Sequence, residues 1–333
     1  MKKKTTILTG FLGAGKTTYL NYLLQSNPNT RYAIIENEFG EESIDGELII
    51  RSSDNIVELN NGCLCCSLNE NLYDLLSELH YRKDEFDELI IEATGIADPA
   101  NIAEPFITHP AVKNTFELVN TICIIDSEQI EDRLKDTEEA RKQIAFSDVL
   151  LLVKTDLVSL NYVEQLTITL KGINPLAQVL TKENGVYPII LPSSIKHNSA
   201  KNTSTCKHHN DEKCDHHHEH KTTITHQHTD IITHSFIFNE KFNIEEMKRQ
   251  LFVFLTFQSK DIYRFKGIVY GGNPLKKHII QSVGKRMGTD ELQISEEIES
   301  GLSKFVFIGK NIKPDGLKKL LEHCKTKTNV HLS

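Results

Sequence analysis

The 333-residue sequence predicts an α/β protein, with a mostly parallel sheet covered by helices on both faces and a smaller α+β domain behind it. Three observations carry that prediction. Through the first half, short and almost continuously apolar runs alternate with stretches of helical periodicity, the pattern of strands buried on both faces. A glycine-rich turn at residues 10–17 joins the first apolar run to the first helical stretch. Near residue 196 the pattern stops in a histidine-crowded segment, and a different mixture of strands and helices follows it.

Taken in order, TTILTG (residues 5–10) reads as the first strand and KTTYLNYLLQS (16–26) as the first helix. RYAIIEN (31–37) is a second strand. SLNENLYDLLSELHY (67–81) places Leu68, Leu72, Leu75, Leu76 and Leu79 at helical spacing. ELIIEATG (88–95), TICIID (121–126) and DVLLLVKTD (148–156) are apolar strands closed by polar turns, and NYVEQLTITLKGIN (161–174) is helical. These elements make a first domain over residues 1–195. From His197 to His234 the chain holds ten of its fifteen histidines and few large apolar side chains. Such a segment buries too little surface to order itself, so residues 196–229 read as a flexible linker. Residues 230–333 form the second domain. Its strands are DIITHSFIFN (230–239), DIYRFKGIVY (261–270), KKHIIQSVGKRM (276–287) and KFVFIG (304–309); its helices are IEEMKRQLFVFL (244–255) and KPDGLKKLLEHCK (313–325).

The formal net charge of −8 argues against a general nucleic-acid surface. No run of 18 apolar residues suggests a membrane span. The start, MKKKTTILTGFLGAGK, has lysines followed by apolar residues, but that short run ends inside the glycine-rich turn with no small-residue cleavage site after it, so a cytoplasmic location is expected. In a reducing compartment an odd count of seven cysteines points away from disulfides and towards metal or redox chemistry.

GFLGAGKT matches G-x-x-x-x-G-K-[ST] in full and sits between a strand and a helix, which gives the fold a P-loop NTPase character. Gly10, Gly13, Ala14 and Gly15 let the backbone wrap phosphates, and the N–H groups of the helix start at Lys16, Thr17 and Thr18 favour the anion. Lys16 would reach the β- and γ-phosphates, and the Thr17 hydroxyl would bind Mg²⁺. Glu92 ends the strand ELIIE, and Gly95 follows three residues later. A carboxylate at that end of a strand faces the ligand crevice, where it would hold the Mg²⁺ shell or the attacking water. In LVKTD, Asp156 is placed to accept two hydrogen bonds from guanine, and the Lys154 stem to cover the base.

Cys63, Cys65 and Cys66 form C-x-C-C just before a helix, where the helix N-terminus stabilises thiolates. Three soft sulfurs suit Zn²⁺ or Cu(I) and leave a fourth position open, as a transferable ion requires. Simple packing of the loop and redox sensing remain alternatives for these thiols.

The motifs GFLGAGKTT, ENEFGE (36–41), NGCLCC, IEATGIADP (91–99) and VKTD, continued by YRFKG (263–267), QSVG (281–284) and FVFIG (305–309), resemble the CobW-type metal-chaperone GTPases, relatives of the hydrogenase and urease maturation GTPases. The likeness spans nearly the whole chain outside the histidine segment. It implies hydrolysis of GTP coupled to delivery of a metal, most often zinc, to a client apo-metalloprotein. It makes ENEFGE and EATG the two switch segments, with Glu36 and Glu41 joining Cys63, Cys65 and Cys66 around Zn²⁺. Val153 stands where this family commonly has Asn, Thr or Ser; its side chain forgoes a hydrogen bond worth about 0.5–1.5 kcal/mol. Because the thiols lie between the two switches, nucleotide state is expected to set metal affinity, and metal to set nucleotide affinity.

CKHHNDEKCDHHHEH (206–220) offers His208, His209, Cys214, His216, His217, His218 and His220 as an auxiliary metal reservoir. The rival readings are a passive zinc buffer with a structural phosphate loop, and an insertase for cobalt, nickel or iron. No nucleic-acid or membrane partner is expected, and a homodimer is left open. His80, His109 and His278 read as surface or packing residues, Cys123 as core and Cys324 as incidental.

Overall fold

The computed structural model describes residues 1–36, 56–59, 68–182, 186–188, 190, 230–258, 260–272, 275–292 and 301–326. In the first half, β1 (Lys3–Thr9), β2 (Tyr32–Glu36), β3 (Ile56–Leu59), β4 (Glu88–Glu92), β5 (Phe116–Asp126), β6 (Val149–Val153) and β7 (Gln178–Thr181) build a seven-stranded sheet in the order β3-β2-β4-β1-β5-β6-β7. All of its pairings are parallel. The helices are α1 (Lys16–Ser26), α2 (Leu68–Tyr81), α3 (Pro99–Thr108), α4 (Pro110–Thr115), α5 (Ile130–Asp136), α6 (Glu138–Phe146) and α7 (Leu160–Ile173).

Strand periodicity sorts the apolar residues between two faces. Ile7, Ala33, Ile35, Leu89 and Ile91 pack with Leu72, Leu75, Leu76 and Leu79 of α2 and with α3. Their chain neighbours Leu8, Tyr32, Ile34 and Ile90 pack on the other side with Tyr19, Leu20 and Leu23 of α1. Runs such as YAIIE and ELIIE therefore have no polar alternation to show. Cys123 is 2% exposed and belongs to this core, as expected. The chain turns left from β1 to β2 and right from β4 to β5, so the sheet's switch point lies at β1, where ligands bind in such folds.

The second half contains β8 (Ile232–Phe238), α8 (Ile244–Gln258), β9 (Ile262–Gly271), β10 (Lys276–Val283), β11 (Arg286–Leu292), β12 (Ser303–Gly309) and α9 (Pro314–His323). The five strands run antiparallel in the order β11-β10-β9-β12-β8. Their core is aromatic: Phe238, Phe242, Phe265, Phe305 and Phe307 pack with Met247, Leu251 and Leu255 of α8 and Leu317 and Leu321 of α9. Two expectations are corrected here. The stretch 276–287 is not one strand but the two arms of a hairpin, turning after Val283, which pairs with Arg286. Cys324 is fully buried in the aromatic core rather than incidental. His278 is a packing residue, as expected, on the inner side of β10. The expected linker, residues 196–229, lies outside the described residues. Among the described residues, no helix is long and apolar enough to cross a membrane.

The second sheet docks on α3 and α6. Arg264 of β9, 4% exposed, donates to the Phe146 carbonyl and, at 2.6 Å, to Asp148, and its guanidinium lies over the Phe146 ring. Tyr263 and Lys310 both donate to Glu138 of α6, at 3.2 and 3.3 Å. On α3, Glu104 pairs with Arg286, and Ile107 presses against Gly288 of β11.

Candidate functional site

The β1–α1 turn carries the first part of the site. Gly10, Gly13 and Gly15 all have positive φ, at 140°, 74° and 96°. The consequences differ. A Cβ on Gly10 would sit 2.3 Å from the Ile124 carbonyl oxygen, so this glycine lets the loop lean on β5. A Cβ on Gly13 or Gly15 would meet nothing within 4 Å. The turn is thus braced beneath and open above, a cradle with room for a phosphate chain. Lys16 is buried, and its Nζ donates to the carbonyls of Gly10 (3.1 Å) and Phe11 (3.4 Å), which holds the ammonium inside the loop's curve. Ala14 is buried beneath the loop and Thr18 is exposed at the helix start.

Thr17 links this turn to β4: its Oγ1 donates to Glu92 Oε1 at 2.8 Å. Glu92 is the last residue of β4, paired with Leu8 of β1 on one side and with Glu36 of β2 on the other. Neighbouring strands lie about 4.8 Å apart, so Glu36 stands one strand spacing from the carboxylate that holds Thr17. A hydroxyl and a carboxylate oxygen so close are hard oxygen donors of the kind Mg²⁺ prefers, and the residues present fit that ion.

Beyond β4 the EATG segment turns back against the phosphate loop. A Cβ on Gly95 would lie 2.5 Å from the Leu12 backbone nitrogen, a contact only glycine permits. Gln143 of α6, 1% exposed, donates from Nε2 to the carbonyls of Gly95 (3.0 Å) and Ala97 (3.2 Å). Asp98 then caps α3 by accepting from Ala100 N at 3.0 Å, and burial raises its pKa above the usual carboxylate range.

At the end of β6, Lys154 adopts a left-handed conformation, with φ at 57°. Its Nζ is 2.6 Å from Asp126 Oδ2 at the end of β5, and that carboxylate pushes the Lys154 pKa up. Asp126 also accepts from Glu128 N at 3.0 Å through its other oxygen. Asp156 is exposed in the short 3-10 turn Thr155–Leu157. Val153 is 3% exposed and packs in the cluster that contains Tyr19 and Leu20, while its carbonyl accepts from Ser127 N. An apolar residue therefore suits this position for a packing reason.

The structure thus gathers Gly10, Gly13, Ala14, Gly15, Lys16, Thr17, Glu36, Glu92 and Gly95 at one edge of the sheet, with Lys154 and Asp156 at the end of β6. Glu41, Cys63, Cys65, Cys66, His208, His209, Cys214, His216, His217, His218 and His220 lie outside the described residues. Among the described residues, no three His, Cys, Asp or Glu side chains are close enough to hold an ion. Sequence reasoning passed over Asp126 and Gln143. Asp126 ends an apolar strand as Glu92 does, so a signal existed; Gln143 is one glutamine in a short helix and carried none.

Comparison with known proteins sets this geometry in context. The family described as "CobW/HypB/UreG, nucleotide-binding domain" matches residues 4–181, and that described as "Cobalamin synthesis protein cobW C-terminal domain" matches residues 231–325. The zinc chaperone YjiA of Escherichia coli K12 is 40% identical over 184 residues, a match covering 54% of this chain and 57% of that protein. The zinc-regulated GTPase metalloprotein activator 1 of Schizosaccharomyces pombe is 36% identical over 190 residues, covering 54% and 46%. In these matches the chain spans about half the length of the curated relatives. The crystal structure of Zn(II)-bound YjiA GTPase from E. coli aligns with a TM-score of 0.69 at 27% identity, over 98% of this chain and 100% of that one.

Proposed function

The chain belongs to the CobW/HypB/UreG family, and from that premise we propose that it is a GTP-hydrolysing metal chaperone, one that binds Zn(II) and passes it to client apo-metalloproteins. We assign it three parts: a GTPase domain at 1–195, a histidine-rich metal-binding linker at 196–229 and a C-terminal domain at 230–333. One observation carries the reading. The carboxylate that grips the phosphate-loop threonine, Glu92, is the strand neighbour of Glu36, the first residue of the proposed metal-binding switch.

In the proposed reaction, Gly13, Gly15 and the start of α1 bind the β- and γ-phosphates through backbone N–H groups. Lys16 exchanges the Gly10 and Phe11 carbonyls for phosphate oxygens and neutralises charge as the terminal phosphoryl group departs. Thr17 and Glu92 would hold Mg²⁺, which would supply Lewis-acid stabilisation of the phosphate oxygens. The alternative role of Glu92 is to orient the attacking water, and the Gly95 backbone closes on the terminal phosphate. Asp156 reads guanine, and the Lys154 stem covers the base. Glu36 and Glu41 with Cys63, Cys65 and Cys66 hold the Zn(II) cargo, and His208, His209, Cys214, His216, His217, His218 and His220 keep further ions nearby. Similarity to a zinc chaperone and to a zinc-regulated GTPase supports zinc over cobalt, nickel or iron.

Phosphate release from GTP, measured on the full chain with and without Mg²⁺ and then across a Zn²⁺ titration, tests this function. We expect turnover that needs Mg²⁺ and changes rate when Zn²⁺ binds. Zinc binding without any Mg²⁺-dependent GTP turnover would leave the passive buffer as the better account.

A further inference from the structure

Helix α6 is a nine-residue strut with different business on its two sides. Gln143 points into the nucleotide half, where its single amide nitrogen serves the carbonyls of Gly95 and Ala97, 48 and 46 residues away in sequence. With 3.6 residues per turn, Glu138 and Ala145 fall about 200° around the helix from Gln143. Those two residues meet the second sheet. Glu138 accepts from Tyr263 and Lys310, and Ala145 packs with Tyr263, Val306 and Ile308. The next residue, Phe146, gives its carbonyl to Arg264.

The Gly95 end of this chain of contacts is as tight as the other. Its backbone lies so near Leu12 that a methyl group would not fit, so a shift of the EATG segment and a change in the phosphate loop are sterically linked. Gln143 is buried at this junction, and it lines a narrow cavity shared with Phe11, Leu12 and Asp126. The buried Gly95 carbonyl and the part-buried Ala97 carbonyl accept from its N–H groups, so α6 must follow the segment or leave them without these donors.

We infer that Gln143 is a positioning residue that fastens the EATG segment to α6, so that nucleotide-driven movement of that segment is delivered to β9 and β12 of the second sheet. The inference rests on the nucleotide-binding reading of the phosphate loop. It assigns the C-terminal sheet a task that sequence gave no hint of: reporting nucleotide state at a surface remote from the phosphates.

Hydrogen–deuterium exchange on the full chain tests it, with Mg²⁺ and either a non-hydrolysable GTP analogue or GDP, after binding of both nucleotides has been measured by fluorescence. In the wild type, exchange in β9 and β12 should differ between the two nucleotides by about fivefold or more. Gln143→Leu should still bind both nucleotides, lose that difference, and turn over GTP with reduced kcat at nearly unchanged KM. Gln143→Glu supplies a second comparison, because its carboxyl donates only when protonated; the difference should return as pH is lowered. It also carries the test should the leucine variant fail to fold. A wild type that binds both nucleotides but exchanges identically would overturn the inference, as would either variant keeping the full difference at every pH. If the wild type binds neither nucleotide, the phosphate-loop reading itself falls and takes this inference with it.

Discussion

Lys16 in the first half and Arg264 in the second are both buried cations, at 8% and 4% exposure, and the chain treats them differently. Among the described contacts, Lys16 donates to the Gly10 and Phe11 carbonyls of its own loop. Neutral acceptors of this kind are exchanged readily for phosphate oxygens, which make stronger charge-assisted bonds. Arg264 is committed to a carboxylate, a carbonyl and an aromatic face at the seam between sheets. Burial works to raise the Asp148 pKa, yet the cations of Arg264 and Lys266 bring it below the usual carboxylate range. The carbonyls around Lys16 can yield to phosphate oxygens, whereas the carboxylate, carbonyl and ring around Arg264 hold two sheets together.

Exchanging each cation for alanine sharpens that contrast. Lys16→Ala should lower GTP turnover by about a hundredfold or more, with a thermal midpoint close to wild type. Arg264→Ala should reverse the pattern. It strips Asp148 of its closest partner and should destabilise the chain by roughly 1–3 kcal/mol in denaturant titrations, with most of the turnover per folded molecule retained. Equal loss of stability in both variants would break the distinction.

A smaller effect in the second half depends on pH. His278, buried on β10, and His234, half-buried on β8 with Nε2 3.3 Å from the Ile312 carbonyl, both have pKa values lowered by burial. Glu291 and the Gly271 backbone oppose the shift of His278, and Lys248 and Lys276 add to it. The unfolded chain takes up these protons near pH 6.5, and the folded chain does so only at lower pH. The unfolded state therefore binds more protons in that window, and stability falls as pH drops below about 6.5. Denaturant midpoints at about pH 7.5 and about pH 5.5 should show a modest loss on acidification, flattened in His278→Gln. An unchanged slope in that variant would remove His278 from the account.

Much of the nucleotide edge was legible because its chemistry is written in contiguous residues. GFLGAGKT specifies a strand, a turn and a helix together, and Glu92 and Gly95 lie within one short run. The architecture followed from apolar runs long enough to be unmistakable. The misses share a physical cause: they depend on partners far away in sequence. Strands β3 and β7 have four residues each and exist because a neighbouring parallel strand pairs with them. The hairpin at 276–292 read as one strand plus a remainder because MGTDEL lacks apolar alternation, and pairing with β10 supplies what propensity does not. The ion pair of Lys154 with Asp126 is visible only once β5 and β6 lie side by side. Arg264 and Asp148 are 116 residues apart, and no pattern in either segment joins them.

Whether the phosphate loop governs the cargo is decided most directly by the Zn²⁺ dissociation constant of the full chain, measured by competition with a chromogenic chelator in the presence of GDP or a non-hydrolysable GTP analogue. The adjacency of Glu36 and Glu92 predicts that the two constants differ by about fivefold or more. Identical constants, with both nucleotides bound, would contradict it.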